Sequence, residues 1–355
     1  MSITVGLDVG GAHLKVARLE NGTPVDVRQF ASPLWQGFDR LGVALGSAVP
    51  MLGGARQVAV TMTGELSDLF ECRALGVRRL CEFLTQGFGD KARFYLGNKG
   101  FGSAEDAMAA PDDAGSMNFL ATAEVIGLKL GEAILIDFGS TTVDIIAITD
   151  GVPAVRGFSD AYRQASGELV YTGLTRTAVM GVAQRAPLRG RFVGLSREHL
   201  ATMADVRRIL GWDLEGIDLH QSADGRGKTI EESRARLARM FGCDAEQATP
   251  EEWRTAAAYL REAQLNSVVE GVLQVLSAAV MPDDAPIIAA GIGAAEASEV
   301  SRRLRRPCQS FGEFLALDGA IADAATHHAP AVAVANLLES KTALRPVMQE
   351  INSAG

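Results

Sequence analysis

DVGGAHLKVARLENGTPVDVRQF, from Asp8 to Phe30, and DFGSTTVDIIAITDGVPAVRGF, from Asp137 to Phe158, are two versions of one pattern. Laid over one another without gaps, Asp8 falls on Asp137, Gly10 on Gly139, Gly22 on Gly151 and Pro24 on Pro153. The turn dipeptides Asn21-Gly22 and Asp150-Gly151 also coincide, and both tolerate the positive φ of a tight hairpin. An apolar run precedes each copy, Ile3 to Leu7 and Ala133 to Ile136. Each copy therefore predicts a strand, a glycine-containing turn, a second strand, a hairpin and a third strand.

Beyond the first copy the chain predicts a strand at Gln57 to Met62, a helix near Arg73 to Gln86, a short strand at Arg93 to Leu96 and a helix near Met117 to Leu130. Beyond the second, helical segments lead to a strand at Pro286 to Ala290, a glycine turn and a helix from about Ala294 to Leu304. This order implies an α/β fold of two duplicated βββαβα lobes around one central cleft. The first lobe covers 1–130 and is completed by a helical return over about 320–355, with Ala320 to Glu339 packing back on it. The second covers 131–319 and carries an insertion over about 185–261 that reads mainly helical and shapes the cleft. Within it, Thr229 with Glu232, and Thr249 with Pro250 and Glu252, are capping-box helix starts, the second helix running to about Val280. Leu265 to Val280 carries apolar residues all round, which predicts burial on every side.

Composition narrows the function classes. The chain has 355 residues, enough for about two domains. Its net charge of -9 gives no excess basic field for nucleic acid or an anionic membrane surface. The N-terminus, MSITVGLDVGG, lacks the basic and apolar regions of a signal peptide, and the uncharged stretch Leu41 to Ala55 is too short to span a bilayer. Cys72, Cys81, Cys243 and Cys308 are scattered without metal-ligand spacing, as expected for reduced thiols in a cytoplasmic protein. The 38 glycines are in excess of the usual share and should mark turns and close backbone approaches.

A strand that ends in Asp, followed by small residues and a second strand, lets backbone N–H groups approach a phosphate while the carboxylate holds a hydrated magnesium ion. Two such loops facing each other would clamp a polyphosphate. In the first, Gly10 and Gly11 clear the approach, His13 lies in the loop and Lys15 adds a cationic donor. In the second, Gly139, Ser140, Thr141 and Thr142 supply amides and hydroxyls. A third element, AAGIG at Ala289 to Gly293, follows a buried strand and opens a helix, so Gly291 and Gly293 are candidates for an anion or nucleotide at a helix N-terminus.

These three elements resemble the two phosphate motifs and the adenosine motif of the actin, sugar kinase and heat-shock-70 superfamily. That resemblance covers nearly the whole chain and implies actin/ribonuclease-H-like lobes. Within the superfamily, GFSDAYRQASGELVYTGLTRTAVMG, Gly157 to Gly181, resembles hydantoinase A and oxoprolinase proteins. TMTGELSD at Thr61 to Asp68 and ATMADVRRILGW at Ala201 to Trp212 resemble one branch more closely, that associated with tetrahydromethanopterin-linked one-carbon transfer and similar to the archaeal synthases of methanofuran biosynthesis. The resemblance implies joining of an aminomethylfuran methyl diphosphate to the phenol of a tyramine- or tyrosine-derived acceptor, with release of diphosphate. Two departures, Ser140 in place of a common glycine and AAGIG in place of a glycine pair, weaken adenine binding more than phosphate binding.

On that reading Asp8 and Asp137 hold Mg2+ through water, and Lys15 shares the charge of the leaving group. Glu65 is the candidate for removing the phenol proton or binding the acceptor beside Thr61 and Thr63, against the plainer reading of a surface carboxylate. Glu168, Tyr171, Thr172, Thr175 and Arg176 form the second-lobe side of the acceptor site, where Arg176 serves a carboxylate or a structural ion pair. His13 reads as a packing or phosphate-contacting residue, and His327 and His328 as solvent-facing or capping groups. Competing readings are an ATP-dependent kinase or ring-opening amidohydrolase, and a non-enzymatic nucleotide switch binding ATP or ADP. A homo-oligomer is compatible with any of them.

Overall fold

A computed structural model describes residues 2–340. In the first lobe β1 (Ile3–Val9), β2 (His13–Glu20), β3 (Thr23–Ala31), β4 (Gln57–Met62), β5 (Ala92–Tyr95) and β6 (Phe101–Gly102) form one sheet. Its order is β3-β2-β1-β4-β5-β6, with β1, β4 and β5 parallel and the hairpins antiparallel. The second lobe repeats the plan with β7 (Ala133–Phe138), β8 (Val143–Thr149), β9 (Val152–Pro153), β10 (Leu169–Val170), β13 (Ile287–Ala290) and β14 (Cys308–Ser310), in the order β10-β8-β7-β13-β14 with β9 also on β8. β11 (Arg185–Leu188) and β12 (Arg191–Gly194) pair separately.

Strand alternation explains how each sheet is covered on two faces. In β7, Ile134, Ile136 and Phe138 join the apolar face of helix Pro250–Ala278 through Leu265, Val268, Val272 and Val275. Leu135 points the other way, into a core shared with Ala17, Leu19 and Ala59 of the first sheet, Phe119 and Ile126 of helix Asn118–Gly127, and Val332 and Val334 of the helical segment 329–340. These two helices thus lie between the sheets and join the lobes. The approach is close: a Cβ on Gly6 of β1 would stand 1.9 Å from the Ala331 carbonyl. The described part of the return packs on the first lobe through Ala331 and the shared core, and the expectation for residues beyond 340 lies outside the described residues.

Four expectations change. The third strand of the second lobe is only two residues long, because β10 takes the neighbouring edge of β8 at Asp144 and Val143. The insertion is not mainly helical at its start: 185–194 is a hairpin turning through Arg189 and Gly190, both at positive φ. Leu265 to Val280 is buried on one face only, with Leu273 51% and Val280 97% exposed, since one stripe suffices to cover β7 and β8. His328 is buried instead of solvent-facing, because it sits where the return helix enters the interlobe core. The four cysteines are free, and no helix among the described residues is long and apolar enough to cross a membrane.

The Gly6 contact gives a direct check on how the lobes are joined. Gly6→Ala is expected to destabilise the protein by about 1–3 kcal/mol, the usual cost of forcing a methyl group into a filled core. Gly46→Ala, in helix Asp39–Leu52 with nothing within 4 Å, is expected to be neutral or stabilising. Thermal unfolding of both variants against the parent checks the pair.

Candidate active site

The site is built on a ladder register. Asp8 at the end of β1 stands opposite Lys15 of β2, and Lys15 Nζ donates to Asp8 Oδ2 at 2.8 Å. In the second lobe the corresponding strand end is Asp137, opposite Asp144. The repeat thus replaces a lysine with an aspartate at one of two equivalent positions. Arg163 balances Asp144 with a 2.6 Å ion pair and lies 3.5 Å over the Phe119 ring of the interlobe helix.

Lys15 consequently sits among three carboxylates. Burial alone would lower its ammonium, but Asp8, Asp137 and Asp144 hold it above its ordinary value. Burial, then the charges of Asp144 and Asp8, push the Asp137 carboxyl up to about 7, with Lys15 opposing. Asp144 is likewise raised by burial, against the pull of Arg163.

Above this floor the two turns have one geometry. The Gly10 N–H donates to the His13 carbonyl, and the Gly139 N–H donates to the Thr142 carbonyl, both at 2.9 Å. Those bonds close each turn and leave the amides of Gly11 and Ala12, and of Ser140 and Thr141, without backbone partners among the described residues. Both turns line a cleft of about 560 Å³ between the lobes. Such paired, unspent amides beside a lysine are an arrangement that can receive an anion.

Most of the expected residues meet there. Gly10, Gly11, His13, Lys15 and Thr63 line the cleft from the first lobe, and Asp137, Gly139, Ser140, Thr141, Thr142, Tyr171 and Arg176 from the second. Arg176 donates to Thr141 Oγ1 at 3.2 Å and lies 5.0 Å over the Trp35 ring, linking the two sides. His13 is buried, its Nε2 has no partner, and burial followed by the nearby His220, Lys15 and Arg176 drives its pKa far down, so it is a neutral ring.

Other expected residues lie elsewhere. Asp8 is fully buried behind Lys15. Thr61, its neighbour on β4, is also fully buried. Glu65 is no surface carboxylate: it is wholly buried and accepts a 2.6 Å hydrogen bond from Ser116, which lines the cleft in its stead. Glu168 accepts from the Arg156 N–H, and Thr172 from Gln264, so these two candidate substrate ligands turn inward. Thr175 is buried too, and its N–H and that of Arg176 donate to the Ser140 carbonyl. The segment Glu168 to Arg176 therefore acts as a brace on the second loop, and a Cβ on Gly173 would stand 2.3 Å from Ser140.

The third loop is a correction. Gly291 donates to the Thr326 carbonyl and Gly293 to the Phe138 carbonyl, and neither lines the cleft. A Cβ at either would collide with Asp137 and Phe138 or with the Phe138 ring. These glycines exist to let helix Ala294–Leu304 close on β7, so their amides are not offered to a nucleotide.

Sequence reasoning missed Trp35, Ser116, Asp144 and Arg163, all cleft-lining. Asp144 had a signal, since it lies seven residues after Asp137 as Lys15 does after Asp8. The His220 ring, from the insertion, lies tilted against His13 with centroids 4.5 Å apart, while Gln29 ties β3 to the Gly216 carbonyl and holds that insertion against the first lobe.

The floor fits a hydrated magnesium ion. Asp8 Oδ1 is buried without a partner and Asp137 faces the cleft. Among the described residues no group of three His, Cys, Asp or Glu side chains is placed to hold a metal ion.

Comparison with known proteins gives independent findings. Residues 56–306 match the hydantoinase/oxoprolinase family. A (4-{4-[2-(gamma-L-glutamylamino)ethyl]phenoxymethyl}furan-2-yl)methanamine synthase of Methanocaldococcus jannaschii is 30% identical over 249 residues, covering 70% of this chain and 74% of that protein. One of the same name from Methanococcus vannielii is 28% identical, covering 40% of this chain and 64% of that protein. A nucleotide-free acetone carboxylase structure shares the fold at a TM-score of 0.53 and 11% identity, over 93% of this chain and 70% of that one.

The Asp137 environment sets a pH dependence of stability. A carboxyl raised in the folded state lends stability that is complete below the unfolded carboxylate range and is lost as pH rises through about 7. Asp137→Asn removes that penalty, so its thermal midpoint is expected to exceed the parent's at pH 8 and to converge with it towards pH 4. Mg2+ at pH 8 is expected to raise the parent's midpoint more than the variant's. A parent at least as stable as the variant at pH 8 contradicts this charge arrangement.

Proposed function

The chain belongs to the hydantoinase/oxoprolinase family, and from that premise we propose that it is a transferase of methanofuran-type cofactor biosynthesis. It would condense an aminomethylfuran methyl diphosphate with the phenol of a tyramine- or tyrosine-derived acceptor, forming an aryl ether and releasing diphosphate. The relatives' shared name describes such a phenoxymethyl-furan product. One observation carries the reading: a charged, amide-lined floor opens directly onto a rim of Trp35, Leu66 and Tyr171, 41%, 48% and 63% exposed. An aromatic body with a diphosphate head fits that division of chemistry.

Lys15, the free amides of the two turns and Arg176 would hold the diphosphate. Asp8 and Asp137 would hold Mg2+ through water, and the ion, when bound, would neutralise charge on the departing group. Trp35 offers a face to the furan or phenol ring. A furfuryl carbon leaves with much carbocation character, so positioning of the acceptor and stabilisation of the leaving group supply most of the catalysis.

Purified protein with Mg2+, aminomethylfuran methyl diphosphate and tyramine is expected to yield ether and diphosphate in equal amounts without ATP. ATP hydrolysis without ether formation would overturn the reading in favour of an ATP-dependent amidohydrolase, a kinase or a nucleotide switch. Lys15→Met is expected to lower kcat about 10²–10³-fold, the usual cost of losing one preorganised donor to a developing anion. Steady-state rates of diphosphate release measure it.

A further inference from the structure

Ser116 has a conformation that its residue type does not favour. Its φ is +56°, in the left-handed region, where a non-glycine side chain costs of the order of 1–3 kcal/mol. Three contacts impose it. The Ser116 N–H donates to the Met62 carbonyl at 2.9 Å, Gly115 bridges to Met62 at the end of β4, and Ser116 Oγ donates to Glu65 Oε1 at 2.6 Å. The strained backbone thus holds one hydroxyl between the cleft and a carboxylate.

Glu65 is fully buried and does not line the cleft. Its second oxygen, Oε2, is buried without a hydrogen-bond partner, and Arg73 Nε approaches Oε1 only to 4.0 Å. A structural carboxylate would be expected to have both oxygens satisfied. Apart from a hydrogen bond with its own backbone N–H, the side chain has one short contact, from Ser116, and that contact leads to the cleft.

We propose that Ser116 and Glu65 form a proton relay that activates the phenol acceptor. The proposal rests on the transferase reading and deepens it. The phenol O–H passes its proton to Ser116 Oγ as the Ser116 hydroxyl proton moves to Glu65 Oε1. The phenol oxygen's electron pair forms the new C–O bond to the furfuryl carbon, while the C–O bond to diphosphate breaks and its pair leaves with the diphosphate. Ser116 ends as a hydroxyl and Glu65 as a carboxylic acid. Ser116 is the catalytic residue, and Glu65 acts through it.

The charged groups facing Glu65 are Arg73, at the start of helix Arg73–Phe88, and Asp160, at the start of helix Asp160–Ser166 in the second lobe. Burial is the largest influence and pushes the Glu65 carboxyl up to about 6; the hydrogen bond from Ser116, that from Glu65's own backbone N–H and the charge of Arg73 oppose it, and Asp160 adds to it. Glu65 is then ionised and able to accept a proton above that range, and already protonated below it.

Ser116→Gly and Glu65→Gln test the relay. Glycine accepts the left-handed backbone and removes the hydroxymethyl group, while glutamine keeps an acceptor for Ser116 but takes no proton. With tyramine both variants are expected to lose kcat about 10²–10⁴-fold, the range for general base catalysis, at unchanged KM for the diphosphate. With a ring-fluorinated tyramine whose phenol is ionised at the assay pH, Ser116→Gly and parent rates are expected to converge. The parent's acid limb in kcat is expected to vanish with the same acceptor. An equal loss with both acceptors, or no loss with tyramine, overturns the relay while leaving the transferase reading standing. No ether from the parent with either acceptor overturns both.

Discussion

The pairing of Asp8 with Lys15 across β1 and β2 is the constraint on which the site depends. Antiparallel register places them opposite one another, and the duplicated register places Asp137 opposite Asp144. Two sheets joined by interlobe helices then bring four charged side chains to one place. A single ammonium among three carboxylates leaves net negative charge in a buried floor, with Arg163 the balancing cation on the second lobe. Burial first, and then the charges of Asp144 and Asp8, hold the Asp137 carboxyl well above its ordinary range, and a divalent cation bound beside it would favour its ionised form.

The surrounding structure serves this floor. The two turns use one amide each to close themselves and offer the next two to the cleft. The segment after β10 braces the second turn through the Ser140 carbonyl, and Gln29 fixes the insertion near His13 and Trp35. Phe138 lies against Gly291 and Gly293, so the third loop packs directly on the end of β7.

The lobes, the two turns and the Asp8–Lys15 pair were legible in the sequence because a repeat constrains pattern and register at once. Asp144 lay in the same repeat but carries the opposite charge to Lys15, so likeness did not expose it. For Glu168 and Thr172 the residue types suggested ligands, yet which way a side chain turns depends on Arg156 and Gln264, contributed from other parts of the chain. Gly291 and Gly293 correctly signalled close approach, but the neighbour is Phe138, and no local pattern names it. The positive φ of Ser116 arises from bonds to Met62 and Glu65, more than fifty positions away in sequence, and has no local signature.

The central claim is that the cleft makes a carbon–oxygen bond at a furfuryl carbon and leaves the phosphorus–oxygen bonds intact. Turnover of tyramine labelled with ¹⁸O in its phenol, followed by mass spectrometry of both products, tests it most directly. The expected result is label retained in the aryl ether and none in the released diphosphate. Label appearing in a phosphorylated phenol or in phosphate would show attack at phosphorus and contradict the account.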